Sequence, residues 1–532
     1  MRTKACYVLN LFLKMRLSRT FLLFLVFLAA VQSVWIFILG FSYPILDAHA
    51  FRQTQTALSV YWMGHGGALL NYETPVLGAP WAIPFEFPIY QWMVLGVSRV
   101  SGLPLDGAGR SVSYAFFLLT LIPLRVISGY FYKSRDVFLI SVILFLISPI
   151  YLFWSRTFMI ESVALFASLS FIACVIRWVQ APSLLKLAFA TLFATLAALQ
   201  KITTFLPAAI VAGVIALDYM WRIVPSKLEG ERTFRKAIFE VFRFFPLVLP
   251  VIVSIVLFEF WLKWSDQSKA LNSFGDSLTS AALTSWNFGS WAQRVSWPFW
   301  LVVHSRIFPQ TVASLEVVIL LFGVVFFLKP KCMKSALLVL PGFFGGLLLF
   351  SNLHFVHNYY QYAISIYLIL AVAFVVHEVE RVRPLLGVVS LFVLMISCEF
   401  VFFAGGQSYF HAVRNGASLQ DSQTMQLARF IKEKTPQDSV IIGFGYDWSS
   451  ELSYYAERRS LMVPSWAKDD RLKDILEDPK PYLGGLPIGA VVVCQSDTPP
   501  GQKSLIDSSV GFTGLLAGMN RTVVSGCDVA WN

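Results

Sequence analysis

The sequence predicts an α-helical polytopic membrane protein with a small extracytoplasmic α/β domain at its C-terminal end. Three observations predict it. The 532 residues are 57% hydrophobic and only 14% charged, whereas a soluble domain carries roughly a quarter charged residues. Apolar runs long enough to cross a bilayer recur along most of the chain. From about Ala404 onward the composition turns polar, with short strand-like and helix-like segments.

Basic residues orient the spans. Lys and Arg number 42 against 31 Asp and Glu, a net charge of +11. In a soluble chain that excess would suggest a nucleic-acid partner. Here the cations sit in short connectors between apolar runs, so they report topology and no nucleic-acid partner is expected. Arg2, Lys4, Lys14, Arg16 and Arg19 hold the N-terminus inside. The apolar run from Arg19 to about Phe41 has no convincing small-residue cleavage site, so it reads as a retained first helix.

Further clusters are Lys133 with Arg135, Arg177 with Lys186, the loop from Arg222 to Arg243, Lys329 to Lys334, and Arg381 with Arg383. Placing all of them inside gives about eleven spans and an outside C-terminus. The spans start near Arg19, Ser111, Val137, Ile160, Leu184, Ile202, Phe245, Thr311, Ala336, Tyr359 and Pro384. Residues 87–100 are apolar but too short to cross, and the stretch is broken by Pro84 and Pro88. They are expected to lie along the outer interface as an amphipathic helix, within an outer loop at 42–110.

The division expected is a membrane domain at 1–404 and an outer α/β domain at 405–532. In the latter, residues 425–434 and 450–459 read as helices, and 439–443, 490–494 and a stretch near Thr522 as strands. Of six cysteines, Cys6, Cys174, Cys332 and Cys398 fall in connectors or helices. Cys494 and Cys527 lie in the outer region, where a disulfide can persist.

The chemistry concentrates after the first span, in Pro44-Ile45-Leu46-Asp47-Ala48-His49-Ala50-Phe51-Arg52-Gln53-Thr54-Gln55-Thr56. A carboxylate beside a low-dielectric boundary can accept a proton from an acceptor hydroxyl. His49 could ligate a metal or bond a phosphate, and the planar fork of Arg52 suits a phosphate. The plainer reading makes Asp47 an N-cap of a helix over 47–63 and has Arg52 reach toward headgroups. Glu86 stands between Pro84 and Pro88, either in the site or facing water. Arg110, opening the second span, reads as a headgroup anchor.

Other candidates gather on the same side. Arg156 and Glu161 bracket an outer turn. Glu161 could share a divalent cation with Asp47, or it could simply pair with Arg156. Lys201 ends the fifth span outside, against the positive-inside pattern, which suggests that it meets a phosphate. His354 and His357 lie three apart in a turn that ends in Tyr359-Tyr360. A metal there is weakly supported by spacing alone, and the tyrosines also fit an interfacial belt.

Taken in order, these features resemble the GT-C glycosyltransferases, in the branch related to lipid A aminoarabinose transferase and the protein O-mannosyltransferases. They are the outer Asp47, the Glu86 beside Pro, Arg110 opening the second span, Glu161 at an outer turn, Lys201, and the His354–Tyr360 turn. The resemblance covers roughly residues 15–405. It implies transfer of a sugar from a polyprenyl-phosphate donor to a lipid, glycan or protein acceptor at the outer face of a bacterial inner membrane.

By the same resemblance, Asp47 is the general base of an inverting displacement and Glu161 the second acid. Arg52, Lys201, His354 and His357 are candidates for the donor phosphate, with His49, Glu86 and Tyr360 beside them. Where family members often carry a second acid directly after the first, Ala48 follows Asp47, so a divalent cation is not required by the pattern. Two other classes fit parts of the sequence: a transporter or flippase of lipid-linked sugars, and a non-catalytic assembly protein. A transporter is expected to show paired halves and broken helices at the midplane, and no such duplication is present in the sequence.

Overall fold

In a computed structural model, residues 17–226, 244–328, 333–404 and 408–532 are described. The basic clusters within 2–16, 227–243 and 329–331, together with Cys6 and Cys332, lie outside the described residues.

The first long helix, Arg19–Leu39, begins where the Ser18 hydroxyl accepts the Phe21 N–H at 3.2 Å and ends at Gly40. Seven described helices are long and apolar enough to cross a membrane. An eighth joins them if Trp297–Thr311 and Leu315–Leu328, bent by 75°, count as one span. Helical segments nevertheless stand at every predicted position.

The strict count is lower for three physical reasons. Arg135–Ile147 ends at Ser148 and restarts at Pro149. Met333–Leu349 has only 17 residues. The stretch Leu184–Ser226 is broken at Lys201, whose φ of −164° and ψ of 99° are extended.

The chain doubles back at that break. Lys201 pairs with Glu161 at one end of helix Glu161–Gln180. At the helix's other end Trp178 shares the Phe244 ring with Tyr219, and Asp218 pairs with Lys334 at 2.6 Å. Before the break, Lys186 also reaches that far end, where it donates to the Ala181 carbonyl. The stretch therefore forms two passes joined by a bend on the face that carries the 42–110 loop.

Residues 87–100 form the expected helix, Ile89–Ser101, which buries Tyr90, Gln91, Val94 and Leu95. Arg110, expected at headgroups, is instead fully buried and donates to the Pro44 carbonyl at 3.3 Å.

The terminal region contains a five-stranded sheet in the order β2-β1-β3-β5-β4. The strands are β1 Val440–Phe444, β2 Arg459–Met462, β3 Ile488–Val493, β4 Asn520–Val524 and β5 Cys527–Trp531. β1 pairs in parallel with β2 and β3, and β5 runs antiparallel to β3 and β4. Every residue of β1 is buried, as a parallel strand covered on both faces requires. The sequence predicts β1, β3 and β4 but neither β2 nor β5, and the helix it predicts over 450–459 meets β2 only at Arg459. That helix is only Glu451–Ala456 and is stopped by Glu457, which adopts a left-handed φ of 55°.

The sheet and the 42–110 loop share one core. Ile45, Tyr72 and Leu77 of the loop pack in the same cluster as Val440, Leu461 and Val491. The backbone of residues 75–78 runs beside β2. Ser460 N–H donates to Pro75 O at 3.0 Å, Met462 N–H to Val76 O at 2.8 Å and Gly78 N–H to Ser460 O at 3.0 Å.

Cys494, just after β3, is disulfide-bonded to Cys527 at the start of β5, across 33 residues of sequence, while Cys174 and Cys398 are free thiols. Closing a loop of that size removes about 3–4 kcal/mol of unfolded-state entropy. The double Cys494→Ser/Cys527→Ser variant is therefore expected to open the sheet region to limited proteolysis at a lower temperature. Unchanged protease resistance would show that the bond is dispensable.

Candidate active site

Asp47 lies in the turn between the first helix and helix Ala50–Gly64. The residue before that helix is His49, which adopts a left-handed φ of 52° and makes no side-chain cap bond. Such a conformation costs a non-glycine residue about 1–3 kcal/mol unless its surroundings hold it. Asp47 is consequently not the N-cap that its spacing suggested. Its Oδ2 accepts Arg156 Nη2 at 2.9 Å and its Oδ1 accepts the Gln53 amide.

Gln53 in turn fixes the next turn of chain, its Oε1 accepting the Phe158 N–H at 3.0 Å. Both partners of the Asp47–Arg156 pair are buried, the side chains being 5% and 2% exposed. Burial lowers the Arg156 pKa, and Asp47 opposes that shift. Gly40 makes room for the guanidinium, since a Cβ there would stand 2.8 Å from Arg156 Nη1.

A second group of charges forms around the bend at Lys201. Its ammonium pairs with Glu161, both side chains being buried. It also lies over the Tyr360 ring at 4.4 Å and the Tyr359 ring at 5.2 Å. The other Glu161 oxygen has no hydrogen-bond partner among the described residues. Arg52 pairs with Glu86. Burial works against the charge on Arg52, yet Glu86, Tyr359, Tyr360 and Glu161 together raise its pKa above the ordinary value.

The histidines complete this group. His49 Nε2 lies 3.0 Å from Asn358 Oδ1, and its ring stands 5.2 Å from His357 and 4.9 Å from Tyr359. Arg306 braces their turn by donating to the carbonyls of His354 and Phe355. Burial pushes His354 down to about 3 and His357 down to about 4, with Lys201 and Arg306 adding to both shifts. Burial also lowers His49. All three are neutral imidazoles at pH 7, so they can offer a phosphate an N–H but no charge.

This carries a pH prediction. In the unfolded chain these histidines take up protons near 6.5, whereas the folded protein resists protonation to about 4 and about 3 at His357 and His354. Stability tracks the state that binds more protons. It is therefore full above pH 6.5 and is lost progressively as pH falls from there toward 3. The unfolding midpoint of the purified protein, followed from pH 8 to pH 4, is expected to decline below 6.5.

A cavity of about 580 Å³ borders these groups at Glu86, Lys201 and Tyr360. Glu86, Lys201 and Tyr360 line its polar end, and Leu206, Ile255 and Phe258 its apolar flank. Of the predicted residues, Glu86, Lys201 and Tyr360 meet at this cavity. Glu161 and Arg52 stand one contact behind, and His49 and His357 adjoin the tyrosines. Asp47 lies apart in its own pair.

The sequence reading had offered Arg156 to Glu161; the structure gives it to Asp47, and Lys201 takes Glu161. Asp47 and Glu161 thus each face a basic side chain. Among the described residues no three His, Cys, Asp or Glu side chains come together as a metal-ligand set.

Gln53, Asn358 and Arg306 are not singled out by the sequence, nor is Lys269, which lines the cavity. For Gln53 a signal was present: four successive polar residues, Gln53 to Thr56, are all buried in one helix, and polar groups are placed so only when they find partners. Arg306 sits in a five-residue π-helical turn, Val303–Ile307, that carries no such sign.

No protein-family model and no curated protein matches the chain. Solved structures do. ArnT from Cupriavidus metallidurans bound to undecaprenyl phosphate aligns over 95% of this chain and 97% of its own, at 12% identity and a TM-score of 0.59. The apo state of the same protein aligns over the same shares at 12% identity and 0.55. An oligosaccharyltransferase from Archaeoglobus fulgidus aligns over 88% of this chain and 67% of its own, at 12% identity and 0.48. At this identity the likeness is one of architecture: the chain has the GT-C fold, with its terminal α/β region included in the ArnT match.

Proposed function

We propose that this chain is a multi-pass membrane glycosyltransferase that moves a sugar from a polyprenyl-phosphate donor to a hydroxyl of a lipid, glycan or protein acceptor. The observation that carries the reading is the cavity of about 580 Å³ with Lys201, Glu86 and Tyr360 at one end and an apolar flank along Leu206, Ile255 and Phe258. A charged end beside an apolar trough matches a phosphate joined to an isoprenoid chain. The undecaprenyl phosphate in the fold's ArnT relative supports the same ligand class.

In this reading Asp47 is the general base. Arg156 keeps its carboxylate company and Gln53 orients it, while each oxygen keeps a lone pair for an acceptor O–H. As the acceptor oxygen attacks the anomeric carbon, the bond from that carbon to the phosphate oxygen breaks and its electron pair leaves with the phosphate. Lys201 and Arg52 then offset the developing charge. A single displacement from the opposite side inverts the anomeric centre. Glu161 holds Lys201 ready and would yield it to the donor phosphate. In the same reading the reaction runs at the outer face of a bacterial inner membrane, on the side of the 42–110 loop.

The test compares lipid-linked sugars and envelope glycans in cells with and without the gene. Loss of one glycan, with accumulation of its polyprenyl-linked donor, is the expected result. Identical profiles in both strains would overturn the assignment.

A further inference from the structure

The end of the bundle opposite the candidate site carries a second, separate pocket. Arg177 lies in the last turn of the helix that Glu161 begins, and it borders a cavity of about 300 Å³ with Arg125, Lys133 and Arg135. No carboxylate lines the cavity. Asp136, the acid adjacent in sequence, is turned to Arg19 at 3.5 Å and to the Ser134 hydroxyl at 3.0 Å.

All four cations are exposed, and none pairs with an acid among the described residues. Arg125 lies 5.4 Å from the Phe138 ring. The Tyr130 hydroxyl in the wall is buried with no hydrogen-bond partner among the described residues.

A positive-inside bias accounts for basic residues at this end of the helices. It does not require four of them to surround one concavity, where like charges repel at close range. An anion seated among them would remove that repulsion and give the Tyr130 hydroxyl an acceptor. The flank of the pocket says what the anion is attached to. Leu118, Ile122 and Arg125 stand four and three residues apart, on one face of the span Leu105–Phe131. Leu118 and Ile122 are 39% and 62% exposed. A chain running from Arg125 toward the bilayer centre therefore meets an open apolar track.

We propose that this pocket holds the phosphate headgroup of an anionic phospholipid, with an acyl chain along Ile122 and Leu118. Basic pockets at the ends of membrane helices recognise such headgroups at about 1 kcal/mol per cation, close to a fivefold change in affinity for each. The proposal does not rest on the transferase reading, since no residue of the pocket belongs to that site.

Native mass spectrometry of the full-length protein in detergent, titrated with phosphatidylglycerol or phosphatidylcholine, tests it. Wild type is expected to retain phosphatidylglycerol preferentially. Arg125→Gln and Arg177→Gln should each weaken that retention about fivefold. Lys186→Gln, which removes a cation at the same end but outside the pocket, should leave it unchanged. Equal retention of the two lipids, or an equal loss in Lys186→Gln, would overturn the proposal. So would displacement of the lipid by millimolar inorganic phosphate, which would assign the pocket to a free anion.

Discussion

Asp47→Asn is expected to lower sugar transfer by about 10²–10⁴-fold, the range that a positioned general base contributes, while the protein still inserts and folds. The asparagine keeps the shape and can still accept from Arg156, but it cannot take the acceptor proton. The substitution does carry a structural consequence. Arg156, 2% exposed, loses its counter-charge, and a buried cation without a partner is destabilising. The measurement is therefore double: transfer from a labelled polyprenyl-phosphate sugar, and the unfolding midpoint of the same preparation. The asparagine variant should be folded at assay temperature and inactive. A variant that transfers at the wild-type rate would show that Asp47 is not the base, and would leave Glu161, with its unpartnered oxygen, as the carboxylate to examine.

Glu161→Ala should produce the largest loss of stability of any single substitution in this region. It strands Lys201, 6% exposed, beneath two tyrosine rings with no acid to neutralise it. Breaking a buried pair by removing one partner costs about 3–5 kcal/mol, whereas replacing both by apolar groups of similar volume is often nearly neutral. The pair Glu161→Leu/Lys201→Met is accordingly expected to recover most of the stability that Glu161→Ala loses. It should not recover transfer, because no ammonium then remains at the polar end of the cavity. If the single variant unfolds at the wild-type temperature, the pair contributes nothing to the bend. If the double variant transfers sugar, Lys201 has no part in holding the donor.

The periodicity of apolar residues and the placement of cations were enough to put a helix at each expected span start, because both are local signals of composition. They were not enough to count the spans: eleven were expected, and seven described helices, or eight with the bent pair, are long and apolar enough to cross. The pairing of charges was not legible in the same way. Arg156 and Glu161 stand close in sequence and invited a local ion pair, yet the intervening turn points them to different partners. Arg156 reaches Asp47, 109 residues away, and Glu161 reaches Lys201, 40 residues away. Which acid meets which base is decided by how helices pack, and no window of sequence contains that.

The same limit explains β2. Arg459–Met462 is four residues long and directly follows a helix, so it lacks a periodic run of its own. It becomes a strand because β1 lies on one side and the backbone of residues 75–78 on the other. His49 shows the effect at a single residue. Nothing in the sequence marks it as left-handed, and that conformation moves the start of the following helix past Asp47.

The loop that borders β2 also sets a schedule for biosynthesis. Pro75 and the Ser460 hydroxyl that bonds to it are 385 residues apart. At the usual 5–20 residues per second of synthesis, the loop emerges roughly twenty to eighty seconds before its partner. The Asp47 turn waits as well, since the Ser450 hydroxyl donates to Phe51 O at 3.0 Å and Tyr455 accepts the Ile45 N–H at 2.7 Å. A nascent chain with all its membrane helices in place would thus still hold an unfinished Asp47 turn. Completion comes only when the later-made sheet region folds onto the earlier-made loop, so under the proposed transferase reading a chain halted partway through insertion has no finished site with which to act on a donor lipid prematurely.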